Sequence, residues 1–187
     1  MLTRRRALPR RRAFTLVEIA VAMLIVALLT AVLYPSAMNQ IRRGQSSALA
    51  NELENMRTAI LNYQKNVQHW PASLSQLTTA PGAGSTDLCG VTLPGLNQGL
   101  WRGPYLTQVV SGAVPIGDAS IQNLLGRNPP ASAAPGVLQI LVNSVDTLNA
   151  ADLERQFDGT TINYASGTIL YNNITDILTF QIAIRGC

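Results

Sequence analysis

Arg11-Arg12-Ala13-Phe14-Thr15-Leu16-Val17-Glu18 joins a basic leader to an apolar run that reaches Leu33. A helix needs roughly 20 apolar residues to cross the hydrocarbon core of a bilayer, and this run is about that long. Its one ionisable residue is Glu18, near its start. A carboxylate at the centre of a lipid-facing helix costs roughly 3 kcal/mol on insertion scales, and less near an end. An acid kept in such a place calls for a named partner.

The formal net charge of +4 comes from the leader. Arg4, Arg5, Arg6, Arg10, Arg11 and Arg12 all precede Phe14, and without them eight basic residues face ten acids, a net charge of −2. The remainder is mildly acidic, which argues against a broad nucleic-acid surface. A basic nucleic-acid arm does not explain why an apolar run follows directly. Positive flanks stay on the cytoplasmic side of a membrane, so the arginines predict that the chain after Leu33 is exported. An ordinary secretory signal has a shorter apolar stretch and a small-residue cut at its far end, and no Ala-x-Ala-like site precedes Tyr34-Pro35. A plain signal anchor would look alike except for Glu18.

Beyond Pro35 the pattern changes. Leu49, Leu53, Met56, Ile60, Tyr63 and Val67 recur at steps of four and three, one stripe on a helix, with Glu52, Glu54, Arg57 and Lys65 on other faces. The stripe predicts packing on the domain's own sheet. Pro35 predicts an interruption, because it lacks an N–H and crowds the preceding turn, and Gly44 adds a second weak point. Trp70-Pro71 closes the helix, since a residue before proline avoids helical geometry. Pro71 to Leu77 reads as a short docking helix or turn, and Thr78 to Pro104 as a long irregular connection. Asn128 to Gly136 is a second loop, after which strand signals begin. Val137 to Val142 is a branched apolar run, Thr168 to Tyr171 a second strand, and Phe180, Ile182 and Ile184 alternate with Thr179, Gln181 and Ala183. Between them, Asp146 to Gly159 reads as a short helix. A long helix first and antiparallel strands last make the chain α+β. The exported part is large enough for one modest domain.

Catalytic patterns are missing from the sequence. His69 is the only histidine, with no acid or cysteine near it in sequence, so capping or packing is its expected role. Serines lie in loops without a nucleophile elbow, and there is no phosphate loop. Asp152, Glu154 and Asp158 are read as a solvated helix face; their spacing is not that of an EF-hand. The expectation is a protein that is not an enzyme and holds no cofactor or metal. The two cysteines, Cys89 and Cys187, fall on the predicted oxidising side, where one intrachain disulfide is the economical reading, with free thiols or an intermolecular bridge as alternatives.

The leader, the small residue Ala13, the sequence Phe14-Thr15-Leu16-Val17-Glu18 and the apolar run resemble the type IV prepilins and the pseudopilins of type II secretion. The resemblance covers about the first third of the chain. It implies residues 1–13 as a leader removed by prepilin peptidase between Ala13 and Phe14, N-methylation of Phe14, residues 14–34 as a transmembrane helix that becomes the filament core, and residues 35–187 as the exported domain. Ala13 departs from the glycine usual before the cut. It further implies that the Phe14 amine pairs with Glu18 of a neighbouring subunit during assembly, that Pro35 marks where the helix loosens, and that a pilin-type disulfide is compatible with Cys89 and Cys187. Trp101-Arg102-Gly103-Pro104-Tyr105-Leu106 resembles the segment leading into the sheet of major pseudopilins; on its residues alone it reads as a turn with an aromatic cover. The expected partners are other copies in a helical filament, prepilin peptidase, an inner-membrane assembly platform and the membrane itself, without nucleic acid. The expected location is the inner membrane as a single-pass precursor, then a periplasmic or cell-surface filament. The alternative is a minor or tip protein of the same family that binds DNA or a surface, for which a contiguous patch of Arg102, Arg127 and Arg185 would speak.

Overall fold

A computed structural model describes residues 14–95, 97–107, 112–128, 136–159 and 162–185. Helix α1 spans Leu16–Val67, 52 residues. The helix runs on through Pro35, so the expected interruption does not end the element. One proline removes a single backbone donor, and the turns on either side keep theirs. The stop is at Gln68, whose φ of 63° is left-handed and incompatible with another turn. The chain divides into two compact units, Met1–Ile41 and Arg42–Cys187.

In the second unit the expected stripe is the buried face. Leu49, Leu53, Met56, Ile60, Tyr63 and Val67 are all buried, joined by Ala50, Ala59 and Ser46. They share one hydrophobic cluster with Leu138, Ile140 and Val142 and with Leu178, Phe180, Ile182 and Ile184. The polar interruption at Ser46 is satisfied because its hydroxyl donates to the carbonyls of Arg42 and Arg43 at 3.2 and 3.3 Å.

The sheet is antiparallel throughout. Its strands are β1 (Val114–Ile116), β2 (Ala119–Ile121), β3 (Gly126–Asn128), β4 (Gly136–Asn143), β5 (Ile169–Asn172) and β6 (Ile177–Ile184), in the order β1-β2-β4-β6-β5, with β3 also pairing with β4. The β4–β6 ladder, Gly136↔Ile184 through Val142↔Leu178, is the longest pairing. Alternate burial along both strands gives one face to the core, as a period of two requires. Strands β1 to β3 were not anticipated. Each is three residues long, too short for a periodic signal, and β1 carries Pro115 at the sheet edge, where a missing donor costs no ladder bond.

Short helices α2 (Ser75–Thr78) and α3 (Asn97–Leu100) occupy the connection between α1 and the sheet. Helix α4 (Thr147–Phe157) begins at Asp146, which accepts the Asn149 N–H at 2.7 Å, an N-cap that satisfies one orphan donor. It ends before Gly159, at φ 102°. Phe157 meets Phe180 edge to face at 5.1 Å, tying α4 to the sheet.

Candidate assembly site

Thr15 precedes the first turn of α1, and its hydroxyl oxygen accepts the Glu18 N–H at 3.2 Å. Thr15-Leu16-Val17-Glu18 is therefore a capping box in outline, threonine at the cap and glutamate three residues on. Sequence reading passed over this role, although the S/T-x-x-E spacing was there to find. The cap starts the helix at the N-terminal end of the apolar run, and a carboxylate in the first turn faces the positive end of the helix dipole. Glu18 is exposed, and so is Phe14, at 74 %. Ala13 and the leader lie outside the described residues.

From Phe14 to Leu33, thirteen large apolar side chains are exposed, and none of the most apolar 18-residue window is buried. At about 1.5–3 kcal/mol for each side chain, leaving them in water would cost on the order of tens of kcal/mol. This surface is a binding face for lipid or for other apolar helices.

Residues 8–34 match the prokaryotic N-terminal methylation motif. This is the prepilin motif of type IV pilins and pseudopilins, and the chain carries it on the residues that open α1. No curated protein and no solved structure matches the chain. The prepilin motif and the layout of a long N-terminal helix before an antiparallel sheet agree with one another, and the motif points to a structural rather than a catalytic protein. A membrane-anchored precursor accounts for the apolar half of α1.

Trp101-Arg102-Gly103-Pro104-Tyr105 folds into an aromatic clamp on the end of α1. Tyr105 lies edge to face with Tyr63 at 5.8 Å and with Trp101 at 5.7 Å. Its hydroxyl oxygen accepts from the Asn66 side chain and from the Arg102 N–H. Gly103 is required because any β-carbon there would collide with the Trp101 ring. Tyr63 is fully buried, its hydroxyl is without a partner, and burial pushes its pKa up to about 12.

His69 does have an acid beside it. Its Nδ1 lies 2.8 Å from Asp87, whose other oxygen accepts from the N–H groups of Cys89 and Val91. The two residues are 18 positions apart, with α2 between them, which is why sequence proximity gave no sign of the pair. The pair fastens the end of α1 to the loop that bears Cys89. No free thiol occurs among the described residues; Cys187 lies outside them.

Glu154 corrects the reading of a solvated α4 face: it is fully buried. One oxygen accepts the Asn163 N–H at 2.9 Å, and the other has no partner. Burial raises its pKa, the Asn163 hydrogen bond opposes that, and Asp158 adds to it. Asp158, four residues on, is exposed but receives the N–H groups of Thr168 and Ile169, both at 2.8 Å. Burial alone would raise its pKa, but these donors outweigh it and the pKa falls. The two carboxylates hold the loop that enters β5. Among the described residues no group of three or more His, Cys, Asp or Glu is placed to hold a metal ion.

Proposed function

We propose that this protein is a filament subunit, a type IV pilin or type II pseudopilin, cut between Ala13 and Phe14 by prepilin peptidase and methylated on the Phe14 amine. The observation that carries the reading is the prepilin motif over residues 8–34, set on a helix whose first half exposes its apolar side chains. Cleavage removes six arginines and leaves an α-amine with a pKa of about 8, largely cationic at neutral pH. Glu18 of a neighbour supplies the opposing charge, and in low dielectric such a pair is far stronger than in water. An unpaired member would be an orphan charge, which selects against wrong register. Residues 14–34 cross the inner membrane and then form the filament core; residues 35–187 remain outside it, Pro35 is the point where α1 loosens on assembly, and Cys89 bonds to Cys187. The assembly platform and the peptidase are the further partners.

A tip protein that binds DNA or a surface is the second reading. It is favoured by one observation: Arg102 and Arg185 are both exposed near the end of α1, through Tyr105 and through the Trp70 indole, which donates to the Arg185 carbonyl at 3.0 Å. Intact-mass analysis of protein from cells with and without prepilin peptidase tests the main reading. The expected mature species begins at Phe14 with one added methyl group. A mature species retaining Arg4 to Arg12 would sink it.

A further inference from the structure

Strand β5 ends the sheet on one side, so one row of its N–H and C=O groups faces away from β6. Such a row is a template for another strand, and native proteins blunt it. At the opposite end of the sheet, β1 is three residues long and carries Pro115, which has no N–H to offer. β5 has no such protection of its own, since Ile169–Asn172 contains neither proline nor charge. What covers it is the chain just before it. The outward N–H of Ile169 donates to Asp158 Oδ2 at 2.8 Å, and that of Tyr171 to the Tyr164 carbonyl at 3.2 Å. These are the donors a further strand would use. The neighbouring Thr168 points the other way, its carbonyl accepting the Gln181 N–H of β6.

Residues 163–168 are held along this edge chiefly by polar contacts. Asn163 donates its N–H to the buried Glu154 at 2.9 Å, and its side chain bonds the Ser166 hydroxyl and the Ala165 N–H, which closes a tight turn. Asp158 also accepts the Thr168 N–H at 2.8 Å. Gly167, at φ 118°, lets that carboxylate in, because a β-carbon there would strike it. The Tyr164 ring meets Tyr171 edge to face at 5.3 Å, but Asn163, Ala165, Ser166 and Gly167 are exposed. A segment with few buried apolar contacts opens at lower cost than the sheet beneath it.

We propose that residues 163–168 are an edge guard, latched by Asp158 and Glu154, and that the edge they withhold pairs, once uncovered, with β5 of a second copy of this chain. The occupant follows from the register. With Ile169 and Tyr171 facing out, an antiparallel copy of the same edge exchanges both bonds between Ile169 of one copy and Tyr171 of the other, and sets Leu170 opposite Leu170. No charge on either edge opposes the match. Such a pair is two-fold and closes on itself, whereas a filament needs contacts that repeat without closing. The guard therefore keeps subunits concentrated in one membrane from forming dead-end pairs. That consequence for assembly rests on the filament reading; the guard itself does not.

The test uses the full chain in detergent. In the parent, the Ile169 and Tyr171 amides should exchange hydrogen about tenfold or more faster than Leu170, which faces β6, because the guard opens before the sheet does. One common rate for the three would show that the guard is not a separable unit and would overturn the proposal. Leu170→Cys then reports pairing, since directly opposed residues of this kind lie about 4.5 Å apart at Cα, within disulfide reach. Under mild oxidation this reporter alone should give only a trace of linked dimer. Adding Asp158→Ala and Asn163→Ala should raise the linked fraction about tenfold or more, since the first change alone removes two hydrogen bonds to a charged group. Peptide mapping should place the link at position 170 of both copies. An opened chain that still unfolds cooperatively but links no more than the reporter alone would overturn the proposal. So would a reporter that links as freely with the guard intact. Larger aggregates without a link at position 170 would overturn the pairing with a second copy's β5. A linked dimer of the opened chain, found alongside a parent that forms no filaments, would uphold the guard and remove only its role in assembly, so the two readings fail separately.

Discussion

Helix α1 contains two regions with the same backbone and opposite fates. From Leu16 to Ile41 its apolar side chains point all round and stay exposed; from Ser46 to Val67 the large ones other than Leu61 form one stripe and are buried. The difference lies in pattern more than in propensity. A stripe three to four residues apart can be buried by the chain's own sheet, whereas an apolar surface on every side can be buried only by something outside the chain. The first half therefore announces a solvent other than water, and the second announces a domain.

The largest effect that would break this comparison is a cavity. Leu53→Ala should cost about 2–5 kcal/mol of domain stability, since Leu53 is wholly buried in the shared core. Leu28→Ala, at an exposed position of the same helix, should stay within about 0.5 kcal/mol. Urea unfolding of the full chain in detergent, followed by tryptophan fluorescence, reads both. Equal losses would mean that the two halves are not separate environments.

A smaller effect separates the two carboxylates of α4 by pH. The Glu154 pKa is raised in the fold, so the unfolded chain ionises first, and its contribution to stability is lost as pH rises from about 4.5 through the folded value. Asp158 has a lowered pKa, so its contribution is present above about 3.8 and is lost as pH falls. Glu154→Gln should flatten the decline on the alkaline side of that window and leave the acid limb in place. A pH–stability curve unchanged by Glu154→Gln would show that the carboxyl does not titrate differently in the fold.

The smallest effect belongs to Tyr63, inside the buried half. Its hydroxyl has no partner, so Tyr63→Phe should be neutral or slightly stabilising, within about 1 kcal/mol. It should also remove a loss of stability that the parent shows as pH climbs from about 10 towards 12, because the folded pKa lies above the unfolded one. A clear destabilisation would reveal a hydrogen bond to the hydroxyl.

Much of this was legible in the sequence, and the reasons are specific. The stripe from Leu49 to Val67, strands β4 to β6 and helix α4 are long enough for a period to show. Strands β1 to β3 are three residues each and carry no period. The expected break at Pro35 rested on a local rule, and the helix continued through it because only one hydrogen bond is at stake. The His69–Asp87 pair and the burial of Glu154 are products of tertiary folding, in which residues distant in sequence meet, or a helix face turns inward against a loop. The N-terminal motif was the most legible part, since a basic leader, a small residue and an apolar run that carries Glu18 stand in order with no need of tertiary context, although the capping role of Thr15 went unread.

Glu18 is where the account is most directly exposed to test. A carboxylate that merely decorates an anchor is an unfavourable transfer term, and removing it should improve insertion without further consequence. One that neutralises a neighbour's Phe14 amine is needed for assembly alone. Filament yield of Glu18→Leu expressed alone, at equal membrane level and with cleavage confirmed by intact mass, separates the two. The expected result is a cleaved, membrane-inserted subunit that forms no filaments; yield equal to that of the parent would contradict the ion-pair mechanism.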